Sequence, residues 1–205
     1  MKISDAIKEI KAGAKAKFDE TVEAHFNLNL DATQSDQQVR TTTTLPNGTG
    51  KEIKVAVLAS KKIPTADLNL TEADISKLEK PNFDVLIVEP SFMPKLAKLG
   101  PILGPAGLMP NPKTGTVTAD VATAVESFKK GKIELRTEST APIIHTAIGK
   151  VSFDDKKLVE NFEEIYSTLR SAKPQKAKPD WIKNCFLASS EFKLEIFFKV
   201  SRSSA

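Results

Sequence analysis

The sequence predicts a mixed α/β protein in which a small α/β domain is inserted into a strand-rich α+β outer domain. The two ends of the chain run through strands with one polar face and through amphipathic helices, whereas the middle holds a strand apolar on both sides. The pattern of the first sixty residues also returns after about residue 142. These changes place the outer domain at residues 1–59 and 143–205 and the inserted domain at 60–142. Two chain crossings then form a two-stranded hinge that allows relative motion.

The elements follow in order. Ile3, Ala6, Ile7 and Ile10 recur at helical spacing, with Ser4 as a cap and the helix running toward Ala16. Val22, Ala24, Phe26, Leu28 and Leu30 alternate with Thr21, Glu23, His25, Asn27 and Asn29, the pattern of a half-buried strand. Val39–Leu45 is a β-branched run closed by the turn residues of Pro46–Gly50, and Ile53–Ala59 reads as a third strand. In the middle, Phe83–Val88 is apolar on both faces, as a covered parallel strand should be. Thr118 is placed to cap a helix carrying Val121, Ala124, Val125 and Phe128, with Gly131 as its stop and a short strand at Ile133–Arg136. Past Ile143 a strand runs through Phe153. Asp154 opens a helix with Leu158, Phe162, Ile165 and Leu169 in phase, and two strands close the chain near 181–190 and 192–199.

The segment Leu99–Thr116 stands apart, with four prolines and four glycines set among large apolar residues. Each proline removes a donor and each glycine admits unusual backbone angles, so an ordered loop without helix or central strand is expected. Its glycines at 100, 104 and 107 do not fit the dinucleotide fingerprint. Five residues separate Gly107 from Lys113, which misses the phosphate-loop spacing.

Composition excludes several classes. The formal net charge is +4, with the excess in the C-terminal part, where residues 143–205 carry eleven basic and eight acidic side chains. That is compatible with nucleic-acid binding without demanding it. No apolar run reaches the length of a membrane span, and Met1–Asp5 lacks a signal-peptide core. Cys185 has no disulfide partner and reads as a strand residue in a reducing compartment. His25 and His145 are the only histidines, and nothing in the spacing makes a metal site or a catalytic triad with them.

Four stretches in order, Lys17–Glu23, Leu45–Lys51, the Gly/Pro segment and Ile144–Phe153, resemble the signature stretches of the L-one family of large-subunit ribosomal proteins. The resemblance spans roughly residues 1–190, and four ordered matches are far more specific than one. It implies an interrupted outer domain that grips ribosomal RNA and an inserted Rossmann-like domain that carries no nucleotide. No enzymatic activity, cofactor, metal or obligate homo-oligomer is implied. The implied partners are the stalk RNA of the large subunit, transfer RNA at the exit site and the protein's own messenger, whose translation it would repress. The implied location is the ribosome, cytoplasmic or organellar.

Family positions carry over one at a time. Lys17 meets a phosphate, Phe18 presses on a ribose or base, and Asp19, Thr21 and Glu23 present polar groups along the first strand. Lys150 and Ser152 lie two apart and so share a sheet face, and Ser189 and Ser190 end the penultimate strand. Composition alone favours Phe18 as a core aromatic by about two to one, and the polar positions as a solvated strand face. The chain departs from the family where Pro101 and Ala106 replace loop arginines, where Asn47 stands for a common histidine, and where Glu191 follows the two serines. Two rivals stay open: a diverged paralogue that binds RNA or protein outside the ribosome, and an enzyme using a nucleotide in its α/β domain.

Overall fold

The computed structural model describes residues 2–32, 34, 36–71, 74, 82–138, 140–178, 180–189 and 193–194. Its strands in chain order are β1 (Thr21–Leu28), β2 (Arg40–Thr44), β3 (Val55–Leu58), β4 (Leu68–Asn69), β5 (Val85–Val88), β6 (Lys132–Arg136), β7 (Ile143–Lys150), β8 (Ile182–Ala188) and β9 (Lys193–Leu194). The long helices are α1 (Ile3–Gly13), α2 (Val121–Lys129) and α3 (Asp155–Ser171). The mixed α/β class is as the sequence predicted.

The chain divides into two compact units, Met1–Lys51 with Ile133–Ala205, and Glu52–Lys132. The divisions fall at 51/52 and 132/133 rather than at 59/60 and 142/143. Strand partners decide the difference. β3, expected in the outer domain, pairs in parallel with β4 and β5, while β6, expected in the inserted one, joins β2 in a two-stranded sheet.

In the outer unit four strands lie in the order β7-β1-β8-β9, with β1 antiparallel to both β7 and β8. Alternation sends Val22, Ala24, Phe26 and Leu28 of β1 into the core, where they meet Ala6, Ile7 and Ile10 of α1 and Leu158, Phe162, Ile165 and Leu169 of α3. Phe26 and Phe162 stack with ring centroids 5.8 Å apart. The first helix starts at Ile3, with Lys2 at its N-cap and no side-chain cap, and ends at Gly13. Ser4 therefore lies inside the first turn, because the apolar register with the core, and not the capping residue, fixes the start. Of the expected final strand only Lys193–Leu194 falls among the described residues.

In the inserted unit the order is β4-β3-β5, all parallel, and Val117 adds a parallel bridge beside Val88. Val55, Val57 and Ile87 face Val121, Val125 and Phe128 of α2, and Ala56, Leu58, Leu86 and Val88 face Leu96, Leu99 and Leu103. Both faces of this small sheet are covered, which is why its strands read as unbroken apolar runs. α2 is capped by Asp120, whose Oδ1 accepts the Thr123 N–H at 3.2 Å, rather than by Thr118.

The Gly/Pro segment departs from the expectation of a loop without helix. Gly100–Leu103 forms a short helical turn and Pro112–Thr114 a 3₁₀ turn. Pro101 and Pro112 stand in first turns, where a missing N–H costs nothing. Leu103 is buried, and Leu108 and Met109 pack partly against the same core. Asn111 closes the second turn, its side chain accepting the Lys113 N–H at 2.8 Å while its carbonyl accepts the Thr114 hydroxyl at 2.9 Å. No helix among the described residues is long and apolar enough to cross a membrane.

Candidate nucleic-acid interface

The sequence-selected residues converge where β1 begins and β7 ends. Antiparallel register sets Thr21 opposite Lys150 and Val22 opposite Gly149, and the register then shifts so that Glu23 faces Ala147. This bulge turns the end of β7 and brings Ser152 to the segment leading into β1. The Lys150 ammonium donates to Thr21 Oγ1 at 2.8 Å and to the Asp19 carbonyl at 3.2 Å. The Asp19 carboxylate accepts the Ser152 N–H at 3.1 Å and its hydroxyl at 2.7 Å. Four residues from two distant stretches of chain thus form one hydrogen-bonded edge.

The backbone behind this edge is tightly built. Gly149 has φ +152°, and a Cβ there would come within 2.7 Å of Leu158 Cδ2. Gly50, at φ +71°, brings the 46–50 turn against the aliphatic stem of Lys150, leaving 2.8 Å to Cγ for any added Cβ. Asn161 of α3 ties the same parts together from within: its amide donates to the Gly48 carbonyl at 2.9 Å and the Ile148 carbonyl at 2.8 Å, and its oxygen accepts the Asn47 N–H at 3.1 Å. Lys150 is thereby held from three sides.

Phe18 is 60% exposed, so the core-aromatic reading that composition favours does not hold. Lys17 and Glu23 are exposed as well, and Thr21 is half-buried. An ammonium carries three N–H groups; two of those on Lys150 are committed among the described residues, which leaves one for a phosphate oxygen. The Ser152 hydroxyl donates its hydrogen bond to Asp19, so its oxygen lone pairs are left to accept from a ribose 2′-hydroxyl. Asp19 is occupied by Ser152 and positions it. Ser189, just past β8, is only 6% exposed. Ser190 lies outside the described residues.

The chain matches the model of the Ribosomal protein L1p/L10e family over residues 10–191. It belongs to that family. Proteins named large ribosomal subunit protein uL1 from Prochlorococcus marinus (strain MIT 9211) and Synechococcus sp. (strain CC9902) are each 47% identical to it, over 91% of this chain and 82% of theirs. The uL1 protein of Thermosipho africanus (strain TCF52B) is 47% identical over 92% of this chain and 84% of its own. The L1p/L10e family is a family of large-subunit ribosomal proteins, as the four stretches suggested.

In this member of the L1p/L10e family an exposed Ser60–Glu89 contact stands where a nucleotide would be expected in such a sheet. In a parallel α/β sheet that place is the carboxyl ends of the strands where strand order reverses, here after β3 and β5. There the Glu89 carboxylate accepts the Ser60 N–H at 3.0 Å and the Ser60 hydroxyl at 2.8 Å. The Ser60 amide, with its hydroxyl second, holds the Glu89 carboxyl below its ordinary range, so this end of the sheet carries a carboxylate. No group of three or more His, Cys, Asp or Glu side chains able to hold a metal occurs among the described residues. Cys185 is buried and its thiol is pushed up to about 12 by burial, an inert strand residue.

Sequence reasoning misses two features. Asn161 is, in sequence, one polar position of an amphipathic helix. His25 and His145, far apart along the chain, meet across the strands with Nδ1 atoms 2.5 Å apart. Only the β1–β7 register, which sets the two residues opposite each other, could have signalled the pair.

Proposed function

We propose that this large-subunit ribosomal protein is not an enzyme and grips the stalk ribosomal RNA near the exit site for transfer RNA. The outer domain supplies the grip, through Lys17, Phe18, Thr21, Glu23, Lys150 and Ser152. The observation that carries the reading is the cross-strand edge in which Lys150, Thr21, Asp19 and Ser152 bond to one another beside an exposed Phe18. An exposed aromatic beside hydrogen-bond donors and acceptors is a surface on which an unpaired base or a ribose can stack, and RNA offers both. Recognition by shape and 2′-hydroxyls needs mixed donors and acceptors more than a strong positive field, so a net charge of +4 suffices.

The inserted domain, connected by two chain crossings, repositions with the stalk as deacylated transfer RNA leaves. The same grip binds a stretch of the protein's own messenger that imitates the stalk and represses its translation. The Glu89 carboxylate bonded to Ser60 at this end of the parallel sheet speaks against the nucleotide-using rival.

Binding of purified large-subunit ribosomal RNA at fixed salt tests the site. Replacing Phe18 and Lys150 together with alanine is expected to weaken it by about tenfold or more. Unchanged affinity would remove the site assignment. Co-sedimentation with washed large subunits separates the ribosomal reading from a paralogue acting elsewhere, and calorimetry with ATP and GTP is expected to show no heat of binding.

A further inference from the structure

We infer that Glu20 is a positioning residue for RNA: its buried side chain closes the loop that displays Lys17, Phe18 and Asp19, and so shapes the tip of the grip before RNA arrives. This rests on the RNA-binding reading above. α1 ends at Gly13 and β1 begins at Thr21, so residues 14–20 join them. Within this link the Ala16 N–H donates to Glu20 Oε1 at 3.1 Å. The Glu20 carbonyl accepts the Val151 N–H at 3.0 Å, which ties the base of the loop to the chain just past β7. Lys17, Phe18 and Asp19 are all exposed, and they are the residues enclosed between Ala16 and Glu20.

Glu20 itself is 1% exposed, although Asp19 before it lies at the surface. An interior carboxylate is costly unless N–H or O–H groups bond to it, and an apolar side chain fills such a place at lower cost. What an apolar side chain cannot do is accept from Ala16. The glutamate of a capping box likewise reaches back along the chain to a backbone N–H. Here a strand follows instead of a helix, and the same kind of bond closes a loop.

The tip is thereby held on both sides. Toward β7, Asp19 is fixed by Ser152 on its carboxylate and by Lys150 on its carbonyl. Toward α1, Glu20 holds Ala16, so Lys17 and Phe18 lie between two anchors. An aromatic ring on an open loop would fold back onto the protein, whereas here Phe18 stays 60% exposed. A loop closed in advance also loses less conformational freedom when RNA binds, which raises affinity without any contact between Glu20 and RNA.

Two measurements on the full chain test this. Amide hydrogen exchange of the free protein reads the loop directly. The Ala16 amide is expected to exchange about tenfold or more slower in the parent than in Glu20→Met, which fills the volume but offers no acceptor. Glu20→Gln keeps a side-chain carbonyl and should restore most of that protection. An Ala16 amide that exchanges in the parent as fast as in an unstructured peptide would overturn the closed loop, whether or not the variants fold. Affinity for purified large-subunit ribosomal RNA at fixed salt then reads the positioning. Glu20→Met is expected to weaken binding about fivefold or more, and Glu20→Gln by about twofold or less. In a chain that already carries Lys17→Ala and Phe18→Ala, most of the loss from Glu20→Met should disappear, because Glu20 acts through those two side chains. An equal loss in both backgrounds would mean that Glu20 serves overall stability alone, and would overturn the positioning role; unchanged affinity in Glu20→Met would overturn it too. A parent that binds no RNA would overturn the RNA reading and the positioning role with it, and exchange at Ala16 would still decide the closed loop by itself.

Discussion

Phe18 and Asn161 show how much one side chain's surroundings decide. Phe18 reads as core by composition and is exposed; Asn161, a polar residue three positions after Leu158 and four before Ile165 on the helix face that packs inward, is fully buried, with three hydrogen bonds to two backbone segments. Asn161→Ala would leave the buried Ile148 carbonyl, and the part-buried Gly48 carbonyl and Asn47 N–H, without this partner. It should lower stability by about 2–4 kcal/mol in a urea titration, whereas Phe18→Ala should cost well under 1 kcal/mol. Cys185 gives a pH prediction with a definite sign. Its folded thiol is pushed up to about 12 from an ordinary value of 9.0, so the folded state keeps a proton that the unfolded chain releases. The stability due to this group is whole below about pH 9 and is lost progressively as pH rises toward about 12. Alkylation by iodoacetamide at neutral pH should accordingly follow unfolding.

At the level of elements, the sheet edge that carries the candidate site depends on one bulge and two glycines. Gly149 and Gly50 both hold positive φ angles and both lack room for a methyl group. Gly149→Ala should cost about 2–4 kcal/mol, from backbone strain and contact with Leu158 combined, and should lower the melting temperature measurably. It should also weaken RNA binding by displacing Lys150. Strand type was legible wherever one face met water, as in β1, because alternation records a face. Strand membership was not legible for β3 and β6, because both are short: β3 is claimed by a two-residue strand and β5, and β6 by β2, which lies about ninety residues earlier. The helical turn at Gly100–Leu103 was hidden by prolines that, at the first position of a turn, permit a helix rather than prevent one.

For the molecule as a whole, the charge balance predicts how binding responds to salt. Lys17 and Lys150 are the cations of the proposed grip, so about two phosphates are neutralised and log affinity should fall with log salt at a slope of about −1 to −2. A steeper slope would mean that lysines elsewhere carry the binding. The outer unit draws on both ends of the chain and holds the large shared core, so it should fold without the insertion. A variant in which a short Gly–Ser linker replaces residues 52–132 should retain cooperative unfolding and most of the RNA affinity. Loss of both would show that the inserted unit is part of the grip.

By itself the sequence determined the α/β class, the interrupted organisation and the family, because apolar periodicity and ordered motifs are local properties that need no knowledge of contacts. It also selected Lys17, Phe18, Asp19, Thr21, Glu23, Lys150 and Ser152. The tertiary structure decided what those residues do to one another: Asp19 holds Ser152, Thr21 and the Asp19 carbonyl hold Lys150, and two isolated histidines meet across the strands. Each of these depends on antiparallel register between segments more than a hundred residues apart. Hydrogen bonds across such a distance are set by packing of the whole sheet on its helices, and no local pattern encodes them.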